Sequence, residues 1–111
     1  MKKRYHIVAT CFDKKMRPIS SGTNEYHRSH PLFAHFAKMV GREEKIFKHA
    51  EFSALISAGN KEVYAILVQR FGQNGNMLLA KPCIICEKII EYWGVKKVMY
   101  TTPSGIESYE I

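Results

Sequence analysis

The run Val63-Tyr64-Ala65-Ile66-Leu67-Val68 constrains this chain more than any other stretch, because it is apolar without alternation. A strand wetted on one face alternates in polarity and a strand covered on both does not, so Val63 to Val68 is expected at the centre of a sheet. The residues after it fix its relation to the next strand. Gly72 to Asn76 is turn-rich, and Met77 to Ala80 leads into Pro82. A helix is then expected from about Cys83 to Trp93, stopped by Gly94, with a strand at Lys96 to Thr101. Strand, helix and strand form a unit in which the two strands run parallel, joined by a right-handed crossover. Pro103-Ser104-Gly105 leaves too little chain for another parallel return before the last candidate strand, Ile106 to Glu110. The last two strands are therefore expected to be antiparallel neighbours.

The N-terminal half supplies the rest. Tyr5 to Phe12 and Arg17 to Asn24 are rich in β-formers and are separated by Lys14, Lys15 and Met16, which predicts a hairpin. Pro18 cannot donate to a ladder, so its strand belongs at the edge. Ser29 and Pro31 suit a helix start, followed by Leu32, Phe33, Phe36, Ala37, Met39 and Val40 at helical spacing up to Gly41. After a charged link from Arg42 to Lys45, a second helix is expected from about His49 to Ala58, with Phe52, Leu55 and Ile56 on one face and Gly59-Asn60 as its stop. These elements make an α/β fold with a mixed sheet of about five strands and helices on its faces. At 111 residues the chain is expected to be one domain, residues 1 to 111.

Composition narrows the classes of partner. An apolar content of 46% supplies a real core and argues against disorder. Seventeen Lys plus Arg against ten Asp plus Glu give a net charge of +7, which favours phosphate-bearing partners without separating a polymer from a free nucleotide. Three cysteines, two of them close together at Cys83 and Cys86, exclude a secreted disulfide scaffold. No export signal and no apolar stretch long enough to span a membrane is present, so a soluble cytoplasmic protein is expected.

Two short motifs carry chemistry: His49-Ala50-Glu51 and Pro82-Cys83-Ile84-Ile85-Cys86, each at an expected helix start. Two cysteines three apart share a helix face, and at the N-terminus the helix dipole and free N–H groups favour thiolate over thiol. With an imidazole from another helix they make a three-ligand set that Zn²⁺ prefers, leaving a fourth tetrahedral position for water. An open position points to catalysis. In mid-helix His49 and Glu51 would point roughly opposite ways; in a first turn both can face one point beyond the helix end. Zinc lowers the pKa of water from ~15.7 toward ~7, and a carboxylate such as Glu51 can take that proton and return it to a leaving amine.

These residues resemble the zinc-dependent nucleobase deaminases, whose H-x-E…P-C-x-x-C signature is matched by His49, Glu51, Pro82, Cys83 and Cys86. The resemblance covers Gly22 to Thr101, and its wording looks most like small deaminases of bacteriophages and bacteria. It implies a three-layer cytidine-deaminase-like fold and Zn²⁺ held by His49, Cys83 and Cys86, with Glu51 shuttling the proton. It also implies that the Ala50 N–H meets the carbonyl oxygen of the base. Gly22-Thr23-Asn24 is similar to a G-x-N that closes the second strand in several branches, which would give Asn24 to the sugar or base. Tyr100 stands where related enzymes often place an aromatic against the base. Two departures pull in different directions. The helix from Leu32 to Val40 falls between the hairpin and His49 rather than before the first strand. His49 resembles the dCMP, tRNA-adenosine and polynucleotide branches, whereas the antiparallel last strand pair resembles the free-cytidine branch.

The expected activity is hydrolytic conversion of cytosine to uracil in a free (deoxy)cytidine nucleoside or nucleotide such as dCMP. The alternatives are cytosine in single-stranded DNA or RNA, with Arg28, Arg70, Phe71 and Tyr100 as candidate contacts, and a non-catalytic zinc-stabilised binding module, for which Glu51 would have no use. A homo-oligomer is compatible with the aromatic and methionine content. A redox Cys-x-x-C would leave His49 and Glu51 unexplained. Cys11 is expected to be a small buried hydrophobe, and His6, His27, His30 and His35 surface or packing residues. His27, Arg28 and His30 follow Asn24 and could face a phosphate.

Overall fold

The computed structural model describes residues 6–23, 35, 38 and 49–111. In chain order these form β1 (His6–Phe12), β2 (Pro18–Thr23), α1 (Ala50–Ser57), β3 (Ala65–Phe71), β4 (Met77–Leu78), α2 (Ile84–Tyr92), β5 (Lys97–Thr102) and β6 (Gly105–Glu110). The strands make one six-stranded mixed sheet in the order β2-β1-β3-β5-β6, with β4 paired to β3. Of its pairings only β3 with β5 is parallel. The apolar run is central as expected, although its strand starts at Ala65 and Leu67, on the face away from the helices, is only half-buried. β2, carrying Pro18, is an edge strand, and β5 and β6 are antiparallel neighbours. Met77–Leu78 adds a sixth strand to the five expected. The expected helix from Pro31 to Val40 lies outside the described residues except for His35 and Lys38, both helical and exposed.

The β1–β2 turn is built on Asp13. Its Oδ1 accepts the N–H groups of Lys15 and Arg17 at 2.9 Å each, and its Oδ2 accepts from Arg17 Nε at 2.8 Å. An aspartate that gathers nearby N–H groups in this way is a turn-former by mechanism. The Arg17 backbone N–H, foremost among these contacts, holds the Asp13 carboxyl below the ordinary carboxylate range.

Register explains how the helices sit. One row across the sheet runs Gly22, Ala9, Val68, Tyr100, Glu107, and the next row on the same face runs Ser20, Cys11, Ile66, Val98, Tyr109. The β2 and β1 members of both rows are small, so α1 can lie close to them. Ser20 Oγ donates to the Ala54 carbonyl at 2.8 Å. A Cβ on Gly22 would fall 2.5 Å from Ala54 N and 2.6 Å from Ser53 Cβ. α1 buries Phe52 and Leu55, α2 packs against α1 and buries Ile85, Ile89 and Ile90, and all five join one core with Ala9, Cys11, Ile66, Val68 and Val98. Each such large side chain contributes roughly 1.5–3 kcal/mol by leaving water. Trp93 closes the helix pair edge-on to Phe52, ring centroids 6.2 Å apart. Cys11 is buried as expected, and burial pushes its thiol pKa up.

Gly22 is therefore fixed by contact with backbone rather than by its own torsion angles. Gly22→Ala is expected to destabilise the fold by about 1–3 kcal/mol, as overpacking a close contact does, measured as a drop in urea midpoint with an unchanged slope.

Candidate metal centre

Both motifs lie where a helix begins, and each helix is capped by one of the candidate ligands. His49 is the N-cap of α1, with extended backbone (φ −84°, ψ 159°), and Cys83 is the N-cap of α2, also extended (φ −72°, ψ 171°). Neither side chain caps its own helix. Their carbonyls start the helical ladders, His49 O accepting from Ser53 N–H at 3.0 Å and Cys83 O from Glu87 N–H at 2.8 Å. Serine, threonine, aspartate or asparagine at an N-cap is worth typically ~1 kcal/mol over residues that cannot cap. Both helices forgo this, and both side chains turn outward.

They turn toward one another. His49 Nδ1 lies 3.3 Å from Cys86 Sγ and 3.6 Å from Cys83 Sγ, and the three donor atoms all fall within 4.8 Å of one another. A tetrahedral zinc with ordinary bond lengths needs nitrogen-to-sulfur edges of about 3.5 Å. The two measured separations bracket that value. One nitrogen and two sulfurs are zinc's preferred donor chemistry, and three protein donors leave a tetrahedron one position short. His49, Cys83 and Cys86 therefore fit a zinc ion.

The electrostatics favour one deprotonated sulfur, that of Cys83. Cys83 is exposed and Cys86 is buried. The hydrogen bond from Cys86 pulls the Cys83 thiol down to about 4, aided by His49, while burial opposes. The same shared proton, together with burial and the charge of Glu51, pushes Cys86 well up. Two helix N-termini also end here, and their partial positive charge favours thiolate.

Glu51 is the second residue of α1 and is almost fully buried, with 6% of its surface exposed. Burial pushes its carboxyl above the usual range, against the opposing effects of its own backbone N–H, of His49 and of the hydrogen bond with Cys86. The first turn thus brings an imidazole and a carboxyl two residues apart to the same end of the helix. Ala50, buried at the first helical position, has an N–H without an intrahelical acceptor. Asn24, like His27, Arg28 and His30, lies outside the described residues.

Tyr100 is half-buried near the C-terminal end of β5, on the face toward the helices, and its hydroxyl donates to Glu107 Oε1 at 3.5 Å. Its ring lies 6.1 Å from that of Tyr109, over which Lys81 Nζ stands 6.0 Å from the centroid. Burial, then Glu87, Tyr100 and Glu51, push the Tyr109 hydroxyl up to about 12. Tyr109 escaped the sequence reading. The signal was present in the alternation of the last strand, which puts Tyr109 opposite Val98 on the core-facing side, but reading it requires the register.

Comparison with known proteins agrees with this chemistry. The family described as "cytidine and deoxycytidylate deaminase zinc-binding region" matches residues 1–102. A search of curated protein sequences found no match. Among solved structures, the crystal structure of a mutant cytidine deaminase from Mycobacterium tuberculosis superposes with a TM-score of 0.52, covering 94% of this chain and 72% of that one at 18% identity. That likeness is one of fold.

Because metal affinity is also folding energy, chelation is expected to lower the unfolding temperature of the wild-type chain by several degrees. Cys86→Ala is expected to purify with little zinc by elemental analysis and to melt at the same temperature with and without chelator.

Proposed function

We propose that this chain, which belongs to the cytidine and deoxycytidylate deaminase family, hydrolyses the amino group from cytosine in a free (deoxy)cytidine nucleoside or nucleotide such as dCMP, leaving uracil and ammonia. The observation that carries this reading is a buried carboxyl, Glu51, beside a nitrogen-and-two-sulfur metal site to which no fourth protein ligand comes among the described residues. A purely structural zinc site closes its tetrahedron with protein and has no use for an acid there.

In this reading His49, Cys83 and Cys86 hold Zn²⁺, which when bound supplies a Lewis acid able to make water nucleophilic near neutral pH. The remaining work belongs to the protein. Glu51, held above the ordinary carboxylate range by burial, takes a proton as water adds to the amino-bearing carbon and delivers it to the departing nitrogen. Oxygen enters from water and nitrogen leaves as ammonia, so no oxidant or reductant is consumed. The Ala50 N–H, free at the helix start, is available to the carbonyl oxygen of the base. Tyr100 offers an aromatic wall, and Asn24 is assigned to the sugar or base by its match to the G-x-N pattern.

A monomeric substrate is favoured by the charges of the described residues near the site. Lys81, Glu87, Tyr100, Glu107 and Tyr109 mix charges of both signs, whereas a polynucleotide track needs a continuous basic groove with stacking platforms. The net charge of +7 suits a substrate that carries phosphate. We assign residues 1–111 to a single catalytic domain working in the cytoplasm, in keeping with its three free cysteines.

Purified protein is expected to release ammonia from cytidine, deoxycytidine or dCMP and not from cytosine-bearing single strands. Release only from strands, falling steeply with salt as counterion release demands, would replace the monomer reading. Glu51→Ala is expected to keep its zinc and to lose about 10²–10⁴-fold in kcat; near-full turnover in that variant would remove Glu51 from its role.

A further inference from the structure

The cysteine ligands follow a segment with almost no regular structure of its own. β4 is two residues long, and Leu79, Ala80, Lys81 and Pro82 connect it to α2. A metal site needs donors held to a fraction of an ångström, so something must fix this segment.

The sheet opens where that happens. β3 runs parallel to β5 from Ala65 to Val68, and then at Arg70 and Phe71 it pairs with Leu78 and Met77 of β4 instead. The side chain of Thr101 fills the fork. It is fully buried, with its hydroxyl accepting the Arg70 N–H at 3.0 Å and donating to the Leu78 carbonyl at 2.8 Å. The Thr101 carbonyl accepts the Ala80 N–H at 2.9 Å, and Arg70 Nη1 donates to the Leu79 carbonyl at 3.4 Å. Three consecutive residues, Leu78, Leu79 and Ala80, are thus each tied to Arg70 or Thr101. The chain reaches Cys83 three residues after the last tie.

We propose that Thr101 is a positioning residue for the metal site: its hydroxyl bridges β3 to β4 and sets the approach of the Cys83–Cys86 helix start to His49. This rests on the zinc-deaminase reading above. A methyl in place of the hydroxyl would remove both part-buried hydrogen bonds, to the Arg70 N–H and to the Leu78 carbonyl, and so loosen the hold on the segment and let it shift. Such a shift would be felt by the metal, since groups that orient ligands typically carry 10–100-fold in affinity.

Thr102 provides the matched control. It too is buried and holds two hydrogen bonds through its hydroxyl, donating to Gly105 O at 2.9 Å and accepting from Ser104 N–H at 3.1 Å, but these close the β5–β6 turn. Zinc affinity of the full chain, read by competition with a chromophoric chelator, is expected to fall about 10-fold or more in Thr101→Val. Thr101→Ser should recover it, and Thr102→Val should leave it within about twofold whatever it costs in stability. Cobalt(II) absorption should shift in Thr101→Val alone. A measurement without mutation covers the case in which Thr101→Val does not fold. Metal and hydrogen bonds that favour the same loop position must strengthen each other, so amide exchange at Arg70 and Ala80 should slow on zinc loading more than at Ser104. Equal affinity in Thr101→Val and wild type, equal losses in both valine variants, or no extra protection at Arg70 and Ala80 would overturn the proposal. A wild-type chain that binds no zinc would instead overturn the deaminase reading, and this inference with it.

Discussion

Everything in this molecule that bears on chemistry depends on two helix N-termini ending at the same point. Neither motif has value alone: a histidine with a nearby glutamate is common, and so is a pair of cysteines. Their meaning comes from His49 Nδ1 standing 3.3 and 3.6 Å from the two sulfurs. Holding them there requires α1 close on β1 and β2, α2 beside α1, and the segment before Cys83 fixed to the open end of the sheet. The core of Phe52, Leu55, Ile85, Ile89 and Ile90 supplies the first two requirements. The hydrogen bonds around Thr101 supply the third.

The helix starts also show where local preference yields to function. Histidine and cysteine are poor N-caps, yet both helices use them, and the capping energy is forgone at the two places where the side chains are needed elsewhere. The same holds for Glu51. A buried carboxyl beside two sulfurs is costly as packing, and burial answers by favouring its neutral form.

Much of this was legible in the sequence because it rests on short-range rules. Pro18 marked the edge strand through its missing donor, Pro103-Ser104-Gly105 dictated an antiparallel final pair by its length, and the unbroken apolar run placed β3 at the centre. The grouping of His49, Cys83 and Cys86 could be read because spacing at a helix start determines direction and because the two motifs together resemble a known signature. What escaped depends on register and on contacts between distant segments. Met77–Leu78 becomes a strand only through its pairing with Phe71 and Arg70. Thr101 looks like any strand threonine until β3 and β5 part around it. Gly22 was noticed for its match to a motif, whereas the structure gives it a packing reason, the approach of Ala54 and Ser53.

The two margins of the sheet have a separate consequence. Among the described residues, β2 and β6 are its outermost strands. β2 carries Pro18 and a register irregularity opposite Cys11 and Phe12, while β6 presents Glu107 and Glu110. A proline, a bulge and carboxylates are the devices by which natural sheets discourage a stranger's backbone from zipping onto them. Adding the sheet of one copy to that of another along these strands would meet a missing donor on one flank and like charges on the other.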